Sequence, residues 1–191
     1  MAKKKRDENA PIYQIKITLR HFSPPIWRRI LAPSDMTLAQ LHDLLQVVMG
    51  WTDSHLHQFD IGGIQYGVPS IDDYIPVQDE RKVRLQQVIL GEKFKFRYEY
   101  DFGDSWDHDV VIEKVLPPDP AQQLPVCMKG KRACPPEDVG GVWGYAHFLE
   151  AIHDVNHPEH EDMQEWVGDD FDPEAFDIDE VNAMLHKFMK V

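Results

Sequence analysis

Residues 100–111, YDFGDSWDHDVV, crowd Asp101, Asp104, Asp107, His108 and Asp109 around a single turn. Carboxylates and an imidazole at that density suit three kinds of chemistry: holding a cation, moving a proton, or keeping the end of a sheet hydrated. Upstream, HLHQF places His55 and His57 two positions apart, and on a strand such residues share a face. That is the local geometry of a two-imidazole metal site. Asp104 and His108 would add a third and fourth ligand from a neighbouring hairpin, giving a mixed shell suited to zinc, manganese or iron. A plainer reading uses the same residues: Asp104 and Ser105 make turn bonds, Trp106 packs, and the histidines are half-exposed strand residues. A shared site requires His55, His57, Asp104 and His108 on one side of the sheet.

A second stretch, CMKGKRACPPEDVGG, brings Glu137 and Asp138 between a stiff Pro135-Pro136 pair and the flexible Gly140-Gly141 pair. It reads either as a rigid loop bordering a pocket or as a structural turn feeding a helix near Tyr145, while the turn at Asp101–Ser105 is expected to line a pocket edge near HLHQF with Trp106 as an apolar wall. Cys127 and Cys134 are too far apart for a zinc half-site, and two thiols make no disulfide framework, so both are expected reduced. HDVNHPEHEDMQEW gathers His153, His157 and His160 among acids, but Pro158 breaks the helical spacing and a solvated face accounts for the pattern. DPEAFD lacks the alternating oxygen ligands of a calcium loop, which is about 12 residues long, and caps a helix instead. DIGGI is a turn without the lysine or helix of a phosphate-cradling loop.

The elements that must hold these residues follow from periodicity. IYQIKITLRHF alternates as a half-buried strand, SPP stops it, and IWRRILAP returns as its hairpin partner. Leu38, Leu41, Leu44, Leu45 and Val48 are spaced for a helix, capped by Ser34, Asp35 or Thr37 at one end and Gly50 at the other. Their apolar face is expected on a sheet containing Ile15, Ile17 and Val111. HLHQFDIGGIQYG and KFKFRYEYDFGDSWDHDVVIEKVLP read as two further hairpins, turning at Gly62-Gly63 and at Asp101–Ser105. The VPSIDDYIPVQDERKVRLQQVI stretch between them is a loop with one helical turn, and PPDPAQQLP is extended or turning. GYAHFLEAIHD, HEDMQEWVG and DIDEVNAMLHKFM carry helical spacing. The class is α+β: an antiparallel or mixed sheet with a ββα start, further hairpins and a C-terminal helical segment.

The chain has 191 residues, enough for one core, and the reading is one domain over 12–191, helical from about 143, behind a disordered basic tail at 1–11. No apolar run is long enough to cross a bilayer, so a soluble, cytoplasmic, acidic protein without membrane association is expected. Residues 1–99 hold 14 Lys/Arg against 12 Asp/Glu, whereas residues 100–191 hold 6 against 21. That excess repels a phosphate backbone, so the body is not expected to bind duplex DNA specifically. The only dense basic cluster is Lys3, Lys4, Lys5 and Arg6.

Five ordered stretches together resemble the plasmid pRiA4b ORF-3-like family: PPIWRRILAPSDMTLAQLHDLLQVVMGW, HLHQFDIGG, YDFGDSWDH, CMKGKRACPPEDVGG and DPEAFDIDEVN. The resemblance spans Ile12 to Leu185. It implies occurrence in bacteria and archaea and an association with plasmids or mobile elements, but no established reaction. A resolvase-like activity would need a nucleophilic serine supported by arginines, and no serine here has that setting. Two functions remain open: a binding or adaptor domain for a protein or peptide partner, and a small metal-assisted hydrolase using the His/Asp residues.

Overall fold

The computed structural model describes residues 7–70, 75–168 and 170–189. The Lys3–Arg6 cluster lies outside the described residues. Residues 7–11, expected in the tail, lie against the domain: Ala10 is buried, its N–H donates to the Asp7 carbonyl, and Asp7 N donates to the Asp35 carboxylate at 3.0 Å.

In chain order the elements are β1 (Ile12–Leu19), β2 (Trp27–Pro33), α1 (Leu38–Met49), β3 (His57–Ile61), β4 (Ile64–Gly67) and β5 (Gln78–Asp79). A 3-10 turn (Glu80–Lys82) and α2 (Leu85–Val88) lead into β6 (Lys95–Tyr100), β7 (Trp106–Leu116) and β8 (Val126–Lys131). Three helices close the chain: α3 (Gly141–His153), α4 (His160–Val167) and α5 (Ile178–Phe188). The strands form one sheet in the order β5-β4-β3-β6-β7-β1-β2-β8, antiparallel except where β4 meets β5. The fold is α+β with a mixed sheet.

Alternation decides which face of the sheet is dry. Ile15, Ile17 and Leu19 of β1 are buried beside Val110 and Ile112 of β7, while Lys16 and Thr18 between them stay half-exposed. Val111, expected under α1, belongs to the other face. Val110 and Val111 are both apolar, so residue type alone does not set the phase of β7; the register with β1 does. The wet face carries charged pairs such as Arg29 with Glu113, whose two bonds measure 2.6 and 2.8 Å. One wet face is ordinary for antiparallel strands.

Helix α1 covers the dry face. The Thr37 hydroxyl accepts from Gln40 N at 3.2 Å while Thr37 N donates to the Gln40 side chain at 2.8 Å, a complete capping box. Gly50 ends the helix at φ 96°, in the left-handed region that favours glycine. Leu38, Leu41, Leu44, Leu45 and Val48 are all buried. Leu41→Ala is therefore expected to cost about 2–5 kcal/mol, read as a lower urea midpoint; an unchanged midpoint would displace the helix from this face.

Tyr145 and Phe148 of α3 and Leu185 of α5 join the same core, whereas α4 buries no residue fully. Strand β8 falls largely in a segment read as a rigid loop or a structural turn: of VCMKGK only Cys127 is buried, so no alternation marks it. Asn182 of α5 reaches this strand, accepting from Cys127 N at 2.8 Å and donating to Cys127 O at 3.0 Å. Both cysteines are free thiols. Among the described residues no helix is long and apolar enough to cross a membrane.

Candidate functional site

Three loops meet where β3 begins, β6 ends and β7 starts: residues 51–56, 101–105 and 134–141. Ser54 N donates to the Tyr100 hydroxyl at 3.0 Å and Asp101 N to Leu56 O at 2.8 Å, fixing the first loop to the second. Trp51 Nε1 donates to Pro135 O at 3.1 Å, and the Thr52 hydroxyl donates to Glu137, fixing the first loop to the third. The Tyr100 hydroxyl donates to Glu137 at 2.5 Å. Burial holds the Tyr100 hydroxyl above its ordinary pKa. Burial also pushes Glu137 up, but its bonds from Thr52 and Tyr100 outweigh that and keep it below the usual carboxylate range. Gly140 N donates to Asp104 at 3.1 Å, and a Cβ on Gly141, at φ 67°, would lie 2.5 Å from the Asp104 carbonyl oxygen. Only glycine permits that approach.

Beside these loops, α1 and β3 bring two imidazoles together. His42 and His57 stack with ring centroids 3.3 Å apart and planes within 5°. His42 is 4% exposed, and the His57 and Glu80 side chains are 8% and 5% exposed. His57 Nε2 lies 2.8 Å from Glu80, and His42 Nε2 lies 2.8 Å from Asp53. His42, Asp53 and His57 each offer one ligand atom, all within 4.8 Å of one another.

The network around His42 assigns its tautomer. Asp53 N donates to Gln46 Oε1 at 2.9 Å, which orients the amide so that Gln46 Nε2 donates to the Tyr98 hydroxyl at 3.0 Å. Tyr98 then donates to His42 Nδ1 at 2.8 Å, leaving the ring proton on Nε2, facing Asp53. Burial, then the neighbouring His57, holds His42 below its ordinary pKa, in keeping with a neutral ring. Partial burial, then the neighbouring Asp53 and Glu80, holds Asp43 above the usual carboxylate range. An ion shared by both imidazoles requires the rings to fan apart, because each lone pair lies in its own ring plane. It also requires the His42 proton to leave Nε2, which couples ion uptake to the Tyr98 bond.

A second cluster lies beside Tyr100, whose ring centroid is 5.9 Å from that of His55. His55 Nδ1 is 3.7 Å from Asp101 and His55 Nε2 is 3.3 Å from Asp138, and these three residues also present ligand atoms within 4.8 Å of one another.

The four residues read as one metal shell are therefore regrouped. His55 and His57 enter different clusters, because β3 begins only at His57 and the two do not share a strand face. His108 faces the same side as His57, but the Tyr98 ring stands between them, 5.6 Å from His108 and 6.1 Å from His57. His108 is fully buried, with Nδ1 3.3 Å from Tyr98 O. Asp104 serves the loop contact with Gly140. Trp106 is a core residue at 0% exposure, so it walls no open pocket. Glu137 lines a cavity of about 450 Å³ with Arg28, Cys134 and Phe176. Asp138 lines a separate groove of about 350 Å³ with Phe148 and Trp166. Among the described residues, His153, His157 and His160 join no metal-sized cluster.

His42, Asp53 and Glu80 were not singled out from the sequence. A signal existed for one of them: His42 and Gln46, four apart, are polar residues inside the apolar stripe of α1, where a buried polar group needs a partner. Asp53 and Glu80 had none, since only the tertiary fold brings their loops to β3.

The fold and these loops define an α+β domain with imidazole–carboxylate clusters at one end of a mixed sheet. The chain belongs to the plasmid pRiA4b ORF-3-like protein family, whose model matches residues 11–180. It is 38% identical over 178 residues to the uncharacterized protein y4hQ of Sinorhizobium fredii, spanning 92% of this chain and 91% of that protein. The crystal structure of a protein of unknown function, MM3350 from Methanosarcina mazei Go1, is similar with a TM-score of 0.82 and 39% identity. That likeness covers 90% of this chain and 98% of the other.

Proposed function

We propose that this protein is a metal-assisted hydrolase whose cation is held by His42, Asp53 and His57, with Glu80 beside them. The observation that carries the reading is the convergence of two imidazoles, each more than nine-tenths buried, with two carboxylates at bonding distance. Two nitrogens and a carboxylate suit zinc, manganese or iron(II). The Asp53 side chain is 58% exposed, so one side of the cluster opens to water and to a substrate oxygen. A cation there supplies an acidified water or a polarised carbonyl or phosphoryl group. His57 and Glu80 hold a proton between them at 2.8 Å, and Asp53 accepts from His42. Three protein ligands with an open position distinguish catalytic from structural sites.

The reading is tested by titrating metal-free, untagged protein with Zn²⁺ and Mn²⁺ by calorimetry. His57→Ala is expected to lower the number of ions bound by one, and uptake by the wild type is expected to weaken as pH falls, because the ligands must give up protons. An unchanged stoichiometry in His57→Ala removes the site.

A second reading, a domain that binds a protein or peptide, is favoured by one surface. Trp143 of α3 is 88% exposed, and Trp166 borders the apolar groove between α3 and α4. Aromatic residues, tryptophan among them, are enriched where protein partners dock.

A further inference from the structure

We propose that His55, Asp101 and Asp138 hold a second divalent cation, separate from the one assigned to His42, Asp53 and His57. No ligand is common to the two sets. The His55 ring stands edge-on to Tyr100, whereas His57 lies beside Tyr98, two positions back along β6.

The orientation of His55 carries the proposal. Its Nε2 is shut off from solvent and makes no hydrogen bond among the described residues, although Asp138 Oδ1 lies only 3.3 Å away. The oxygen is close but off the line that a hydrogen bond needs. Ligands of one ion show this relation: with bonds of about 2.1 Å at tetrahedral angles they sit about 3.4 Å apart and aim at a common point, not at each other. A shielded imidazole nitrogen without a partner is otherwise a net cost to the fold.

The remaining geometry is preorganised. Asp101 Oδ1 accepts from Gly103 N at 2.9 Å, which sets the carboxylate and leaves Oδ2, 3.7 Å from His55 Nδ1, as its ligand atom; one ligand atom from each of the three residues lies within 4.8 Å of the others. Bonds between 54–56 and 100–101 fix His55 against Asp101, and the Asp104–Gly140 bond brings Asp138 up to both. Asp138 is 74% exposed, so water can complete the shell on its outer side. One imidazole and two carboxylates suit manganese, iron(II) or zinc.

The test is calorimetric titration of the metal-free full chain with Mn²⁺, comparing wild type with Asp138→Asn, His55→Ala and His57→Ala. Asp138→Asn alters an exposed side chain, so a folding defect does not obscure the result. The wild type is expected to take up two ions. Asp138→Asn and His55→Ala are each expected to bind the second ion at least tenfold more weakly, while His57→Ala retains it. Wild-type binding in both Asp138→Asn and His55→Ala would overturn the second site. Failure of the first site has a different signature: His57→Ala binds as wild type, and Asp138→Asn still loses an ion.

Discussion

Trp106→Ala is expected to cost the folded chain about 3–5 kcal/mol. The side chain is fully buried where β7 starts, with its ring 6.1 Å from Trp51, itself bonded to the Pro135 carbonyl. Alanine would leave a cavity beside Trp51, the residue that ties the first site loop to the third. A domain is typically stable by about 5–15 kcal/mol, so the variant would keep a small margin. Trp106→Phe provides the control. The indole N–H has no acceptor among the described residues, and an unmet buried donor costs about 1–3 kcal/mol, so phenylalanine removes a penalty along with some volume. Urea unfolding followed by far-UV circular dichroism should rank wild type above Phe and Phe above Ala. An alanine variant as stable as wild type would place the ring outside the core.

Acid is expected to remove about 3 kcal/mol through His108 alone. Burial pushes this imidazole down to about 4 from an ordinary value of 6.5. The folded value lies below the unfolded one, so between them the unfolded chain binds a proton that the folded chain refuses. The stabilisation relative to acid is complete above about pH 6.5 and is lost at about 1.4 kcal/mol per unit as pH falls towards 4. His42, also held down by burial, acts in the same direction. His108→Phe keeps a ring in place and removes the titration. The stability difference between pH 7 and pH 4.5 should shrink by about 2–3 kcal/mol in the variant. Equal pH dependence in the two chains would mean that His108 is not neutral in the fold.

Much of the scaffold was legible because local rules and tertiary packing agree. The N-cap of α1, left among Ser34, Asp35 and Thr37 and formed by Thr37, the glycine after α1, the Gly62-Gly63 turn and the hairpin at Asp101–Ser105 all follow from short-range chemistry. Legibility failed where neighbouring residues are equally apolar, as at Val110 and Val111, and where a strand is held by its partner instead of by its own pattern, as in β8. The site was legible only in part for a similar reason. His55 and His57 stand close in sequence, yet β3 begins between them, so strand alternation does not apply to the pair. Their actual carboxylate partners, Asp101, Asp138 and Glu80, come from two loops and the 3-10 turn, whose relative positions only the assembled fold sets.

The contact between Asn182 and Cys127 has a consequence for the protein in concentrated solution. The outer strand of a sheet offers bare donors and acceptors to any passing chain, and edge-to-edge stacking starts there. At β8 a single carboxamide meets both backbone groups of Cys127, as a ninth strand would, while the opposite border is the two-residue β5. Helix α5 therefore does more than close the core. If it lifts away, the backbone of Cys127 is bared at the border, so strand addition there and the docking of α5 compete for the same groups.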